Sequence, residues 1–464
     1  MSNQIKQQGS KPTLTEGPIA KTLFYFSLPL LFGNILQALN NSINSIWVGK
    51  LLGETALAAT SNAGIIMMFL LSAVFGTSMA AVILIGQNLG AKKIDEAKKV
   101  VGTSVVFFIG LSLIIGVIGL LFTPTILELM NTPLDAQEMA ISYTRILFAG
   151  IPFMFGYNLV MAVLRGSGDS KTPFYFMLIS AIIDIILNPL LIKGIGPFPE
   201  MGIAGSSVAT FIAQCTSLTL LIIYLYRKEY FLRIQKTELH LLRINWKIIR
   251  TLVNKGVPMG LQMVVVSLSN LLLIHIVNSY GSEATAAFGI SNQLSGYVQM
   301  PAMAIGGAIT SMAAQNIGAG RWDRIHKITI TGVIFNILFT GFASALILFF
   351  NRPVLSIFLP AEGKAIELAA HINMITLWSF ILFGIFNIVA GVVRSSGVVM
   401  IPLLITTFSL LFIRNPFAEY LSSHYGFDAI WWSFPTSFLF AAIMNTLYYV
   451  FGNWKKNKMM TATS

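Results

Sequence analysis

Three stretches of the chain, 107–122, 174–192 and 330–350, carry between them a single charged residue, Asp184. Each approaches or reaches the length of about 20 apolar residues that spans a bilayer core as a helix. Charged residues make up only 10% of the chain and hydrophobic ones 55%, whereas an average soluble domain is about a quarter charged. A water-soluble fold of this length would need far more polar surface. The expected class is an all-α membrane protein.

The pattern predicts twelve transmembrane helices, at 22–47, 57–87, 100–123, 139–163, 173–193, 203–226, 250–279, 285–314, 328–350, 368–392, 400–421 and 428–452. A net charge of +12 invites a nucleic-acid reading, but the charges are arranged otherwise. Most Lys and Arg residues fall in the two termini and the loops after even-numbered helices. The opposite loops hold only Lys50, Lys193, Arg352 and Lys364. This bias is the positive-inside pattern and places both termini in the cytoplasm. No nucleic acid is expected as a partner. The first twenty residues have no apolar core with a small-residue cleavage site, so the first helix is expected to serve as its own insertion signal. Cys215, the single cysteine, excludes an internal disulfide and a cysteine metal cluster.

An internal repeat is legible at a separation near 228. Pro29 matches Pro258, GETALAA at 53–59 matches GSEATAA at 281–287, and QNLG at 87–90 matches QNIG at 315–318. Arg165, Gly168 and Pro173 match Arg394, Gly397 and Pro402, and Asn188-Pro189 matches Asn415-Pro416. An even number of helices per half gives both halves the same orientation, hence a pseudo-two-fold along the membrane normal with a cavity between the lobes. The expected organisation is a tail at 1–21, an N-lobe at 22–226, a linker at 227–249, a C-lobe at 250–452 and a tail at 453–464. The basic linker is expected to be a solvated tether near anionic headgroups.

RGSGDSKTP at 165–173, GQNLGAKKIDEA at 86–97, LPLLFGNILQALNNSINSIWVG at 28–49 and DIILNPLLIKG at 184–194 together resemble the multidrug and toxic compound extrusion (MATE) antiporters. The likeness covers essentially the whole chain. It implies a V-shaped pair of six-helix bundles that exports organic, often cationic compounds in exchange for protons or sodium ions, with no other cofactor. Two rival classes lack their motifs. The loop after the second helix has no arginine cluster of the major-facilitator type. GSGDSKT at 166–172 only approaches a phosphate loop: Ser170 stands where a glycine must precede the lysine, and no strand leads into it. Arg165 and Asp169 are expected to cap and anchor that turn. A lipid-linked precursor flippase of similar architecture is the alternative expectation; it would call for a strongly cationic cavity.

Asp184 is the one acid deep in a predicted helix, and an ionisable group there marks a functional site by default. Asn188, one turn on, shares its face. The resemblance implies that an acid in this setting belongs to the ion- and proton-coupling site. Asn34, Gln37, Asn41 and Asn44 form an amide stripe that lipid would not tolerate, so it faces protein or a water-filled cavity. The sequence departs from the family at Asn44, where many relatives carry an acid. Asp184, Asn188 and Asn44 are thus the expected coupling residues. Asn34, Gln37, Asn41, Tyr143 and Gln262 are the expected substrate-cavity residues. Arg414 is expected to pair with Glu419 or to anchor the bent helix, Arg145 to snorkel, and His275 to be a satisfied core residue. The cavity so read holds amides and one acid, suited to cationic or amphipathic cargo. Neither paired catalytic carboxylates nor a metal-ligand cluster is visible, so no enzyme activity is expected. The partners are the bilayer and small organic substrates, and the chain is expected to act as a monomer.

Overall fold

The computed structural model describes residues 14–359, 363–457 and 459, and no strand occurs among them. The first half contains α1 (Ile19–Leu52), α2 (Glu54–Gly90), α3 (Ile94–Leu129), α4 (Leu134–Ser167), α5 (Lys171–Lys193) and α6 (Ile203–Arg227). The second contains α7 (Trp246–Asn278), α8 (Ser282–Gly318), α9 (Trp322–Phe349), α10 (Lys364–Ser395), α11 and α12 (Asp428–Phe451). Two of these are interrupted. α10 tightens into a 3-10 turn at Leu377–Ser379, and α11 consists of Met400–Thr407, a wider π-helical segment Phe408–Arg414, and Asn415–Tyr425. The expected twelve-helix, two-bundle fold is present.

The helices are longer than the apolar windows that predicted them. α1 has 34 residues and α7 has 33, and Pro29 and Pro258 lie well inside them. A hydrophobicity window sees only the lipid-facing core of each helix; polar turns beyond it are hydrogen-bonded all the same. α8 is the other instructive case. It matches α2 in length at 37 residues but falls outside the apolar helices that qualify as spans on composition alone. Its buried Ser291, Ser295, Gln315 and Asn316 are tolerated because α8 packs there against α1, α2, α9 and α10, whereas Asn292 and Gln293 are exposed and call for water rather than lipid.

The linker is not a loose tether. Its 3-10 turn, Lys236–Leu241, docks on α3 through a Lys98–Glu238 ion pair at 2.7 Å, and Thr103 donates to the Arg243 carbonyl at 3.2 Å. Leu232 is buried with the core of the first half, and the Tyr230 and Ser167 hydroxyls share a hydrogen bond. The expectation of a solvated tether missed these apolar anchors because the basic residues around them dominate the composition.

Nearly all hydrogen bonds between the halves gather at the end that carries the termini. Gln87 Nε2 donates to the Ser395 carbonyl at 2.6 Å, and its repeat partner Gln315 donates to the Gly166 carbonyl at 2.9 Å. Each glutamine also uses its oxygen: Gln315 Oε1 accepts from the Leu14 amide at 3.1 Å, and Gln87 Oε1 from the Met459 amide at 3.2 Å. The glycine three residues on makes the crossing possible. A Cβ on Gly90 would lie 1.9 Å from the Gln315 carbonyl oxygen, and one on Gly318 2.0 Å from that of Gln87. The repeated Gln-Asn-x-Gly motif is therefore a seam, two close helix approaches each clasped by an amide. The described parts of both expected tails are drawn into it, with Leu14 and Met459 buried.

Candidate functional site

Asp184 projects from the middle of α5 into the first half and is 2% exposed. Pro189, one turn on, has no N–H to donate to the Ile185 carbonyl, but α5 continues unbroken to Lys193. The carboxylate is surrounded by donors. Oδ2 accepts from Asn40 Nδ2 at 2.8 Å and Asn44 Nδ2 at 2.7 Å, both from α1. Oδ1 accepts from the Thr210 hydroxyl of α6 at 3.0 Å and makes a long contact of 3.5 Å with Asn188 Nδ2. Asn188 also donates to Asn44 Oδ1 at 3.1 Å. Tyr143 of α4 is half-buried and within electrostatic reach of Asp184.

The expected coupling residues Asp184, Asn188 and Asn44 thus meet at one point. Asn40 and Thr210 join them and were missed. Asn40 could have been found, since it lies one turn before Asn44 on the same face; Thr210 is a single hydroxyl in an apolar helix and carries no signal of its own. The amide stripe divides. Asn40 and Asn44 turn into the first half, whereas Gln37 and Asn41 are exposed and Asn34 is half-buried. Exposed amides at membrane depth are tolerated only against water, which sets Gln37 and Asn41 on the cleft side of α1.

Chemically the cluster offers a carboxylate, three amides and a hydroxyl. Asn40 Oδ1 and Asn188 Oδ1 are buried without a partner. In the drawn orientation the amide nitrogens stabilise a charged carboxylate. Turned over, the same amides present oxygens, and carboxylate, carbonyl and hydroxyl oxygens are the ligands hard cations take. The drawn arrangement thus suits a bare carboxylate, and the turned-over one is what a proton or cation there would require.

The second half departs from expectation at three positions. Gln262 is buried and committed to its neighbours: its Nε2 donates to Thr406 at 2.6 Å, and its oxygen accepts from Arg394 Nη1 at 2.7 Å. It belongs to a closed network of α7, α10 and α11 rather than to an open cavity wall. Arg414 makes no ion pair with Glu419, which is exposed; the guanidinium is buried and stacks on Phe434, 3.8 Å from the ring centroid. His275 is exposed rather than a core residue; Arg145, in α4 of the first half, is exposed as a snorkelling side chain would be. The interior is consequently not limited to amides and one acid, because Arg394 and Arg414 lie inside the second half. At the loop after α4, Asp169 caps α5 as expected, accepting from the Lys171 and Thr172 amides at 3.1 and 3.0 Å. Arg165 makes no hydrogen bond through its side chain there among the described residues.

The MatE family model matches the chain twice, at 29–190 and 258–419, one copy in each half. The probable multidrug resistance protein YoeA of Bacillus subtilis is 38% identical across 98% of this chain and 97% of its own length. YpnP of the same organism, also described as a probable multidrug resistance protein, is 32% identical over 96% of this chain and 98% of its own. A crystal structure of a MATE transporter in complex with MaD3S superposes with a TM-score of 0.88 at 20% identity, covering 95% of this chain and 98% of that one. Two family matches that coincide with the repeat, and full-length relatives above 30% identity, lead to one conclusion. The chain is a multi-pass membrane protein of the MatE family, the multidrug and toxic compound extrusion transporters.

Proposed function

We propose that this protein is a secondary active exporter that exchanges protons or sodium ions for cationic or amphipathic organic compounds, with Asp184 as the coupling group. The observation that carries the reading is the buried Asp184 carboxylate inside a ring of amides from α1 and α5 and the Thr210 hydroxyl. Occupied by a proton or ion, the cluster has no reason to hold α1 against α5 in the same way. Empty and charged, the carboxylate draws both Asn40 and Asn44 toward itself. Coupling requires such a difference between states, since a ligand shifts an equilibrium only by its differential affinity.

The distribution of Lys and Arg supports a cytoplasmic assignment for the end that bears the termini. On that assignment the seam of Gln87 and Gln315 is a closed inner gate, and the cleft bordered by Gln37 and Asn41 opens outward. The protein works as a single chain, because each lobe supplies half of the seam. The test is transport of a fluorescent lipophilic cation into everted membrane vesicles under proton and sodium gradients imposed separately. One gradient should drive uptake and its collapse should stop it. Uptake indifferent to both gradients, or restricted to an anionic lipid-linked sugar, would defeat the reading.

A further inference from the structure

The repeat places Asn415-Pro416 of α11 opposite Asn188-Pro189 of α5, and the two asparagines do similar work. Asn188 ties α5 to α1 through Asn44, while Asn415 Oδ1 accepts from Ser269 of α7 at 3.0 Å. The charge beside them is reversed. The position matching Asp184 is Leu411, and the ionised residue is instead Arg414, immediately before the asparagine. The Asn415 amide bonds five residues back to the Leu410 carbonyl, and this π-helical turn carries Arg414 at its end.

Arg414 is 2% exposed and lines a cavity of about 250 Å³ among α7, α8, α10, α11 and α12. Among the described residues its Nε and Nη2 have no hydrogen-bond partner, nor does Asn415 Nδ2 beside it. All of these groups are donors; a guanidinium has no acceptor to offer. Among the described residues no acid lines the cavity and Arg414 has no ion pair. A buried cation left this way in a membrane protein is expensive, and stacking on Phe434 offsets only part of that cost. The rest of the wall is selective in a second respect. Phe380, Phe434 and Phe438 supply aromatic faces, while Asn270 and Gln299 supply amides. Free donors around a cation call for a planar anion able to take paired N–H bonds, and the phenyl walls call for an attached ring.

We propose that the cavity of the second half binds a small aromatic acid, its carboxylate on Arg414 and its ring among the phenylalanines. A halide would meet the same donors but leave the aromatic walls unused. This site stands apart from the coupling role of Asp184 and is tested without transport. The experiment uses the purified full chain in nanodiscs, with 2-naphthoate as the probe, its neutral analogue 2-naphthylmethanol as control, and sodium chloride in a separate arm. Binding is read by calorimetry and by the shift in melting temperature. Wild type and Asp184→Asn should bind naphthoate saturably and melt higher with it, and naphthylmethanol should bind at least tenfold more weakly. Arg414→Gln should lose at least tenfold in affinity and the thermal shift, yet without ligand melt no lower than wild type, because it removes an unpaired buried charge. Arg414→Lys should fall between. If Arg414→Gln does not fold, the lysine variant and the acid-versus-alcohol comparison still decide. Equal binding of the alcohol would reveal a merely apolar pocket, and protection by chloride without naphthoate a halide site. Absence of naphthoate binding, or Arg414→Gln that melts lower while wild type shows no shift, would make Arg414 a packing residue; each of these results overturns the proposal.

Discussion

Gln315→Ala perturbs the seam at one residue and should do so by a calculable amount. The substitution deletes the bond to the Gly166 carbonyl at 2.9 Å and the bond from the Leu14 amide at 3.1 Å. The Gly166 carbonyl comes from the other half, so its bond exists only while the halves are together, whereas Leu14 packs on the second half beside Asn316 and its bond is not specific to the closed state. The loss of the Gly166 bond therefore falls on the closed state. At about 1 kcal/mol for a net hydrogen bond, this is roughly a fivefold change in the closed-to-open ratio. A cysteine at Ala314 reports it. Ala314 is fully buried across from Gly86, its Cβ 3.0 Å from where a side chain on Gly86 would begin. In a Cys215→Ser background, the rate at which a water-soluble maleimide labels Ala314→Cys follows the open population when opening is fast relative to labelling. That rate should rise roughly fivefold in Gln315→Ala. An unchanged rate would mean that the amide clasps do not hold the halves together.

Further outcomes follow from other contacts. Gly90→Ala places a methyl 1.9 Å from the Gln315 carbonyl oxygen, so it should open the seam at a cost of about 1–3 kcal/mol and speed the same labelling; the symmetric Gly318→Ala should match it. Glu238 is held below the usual glutamate range first by the Gln235 amide and then by Lys98. Its contribution to linker docking is complete above the ordinary glutamate range and is lost as pH falls through the lowered value. A nitroxide at the exposed Leu239 should stay immobile at neutral pH and gain mobility only in strong acid, whereas Lys98→Ala should gain it at neutral pH. Asn44→Asp puts a second carboxyl beside Asp184, and the pair should titrate in two coupled steps, giving proteoliposome transport a second inflection against pH.

The two-bundle fold was legible because long apolar runs and a repeat of whole motifs both survive in the sequence. The Asp184 cluster was legible in part. Asp184 and Asn188 announce themselves as polar residues one turn apart in an apolar helix, and Asn44 as an amide in α1. Which amides of α1 face α5 depends on the rotation of that helix, fixed by its packing on α5 and α8, so Asn40 was passed over for Asn41. The second half was less readable. Arg414 looked ready to pair with Glu419, but those residues straddle Pro416, and the π-helical turn before it rotates the guanidinium inward onto Phe434. The docked linker was hidden for a different reason: a few apolar anchors decide its placement, while many basic residues set its composition.

The central claim is that Asp184 does the coupling, and it is tested most directly by the rate of gradient-driven export against pH in proteoliposomes for wild type and Asp184→Asn. The amide is nearly isosteric with the acid and removes a buried charge, so the variant should be folded and monodisperse. Wild type should show a pH-dependent rate, and Asp184→Asn should show no gradient-driven export at any pH. An Asp184→Asn protein that exports at the wild-type rate with the wild-type pH profile would contradict the account and leave Asp184 a packing residue.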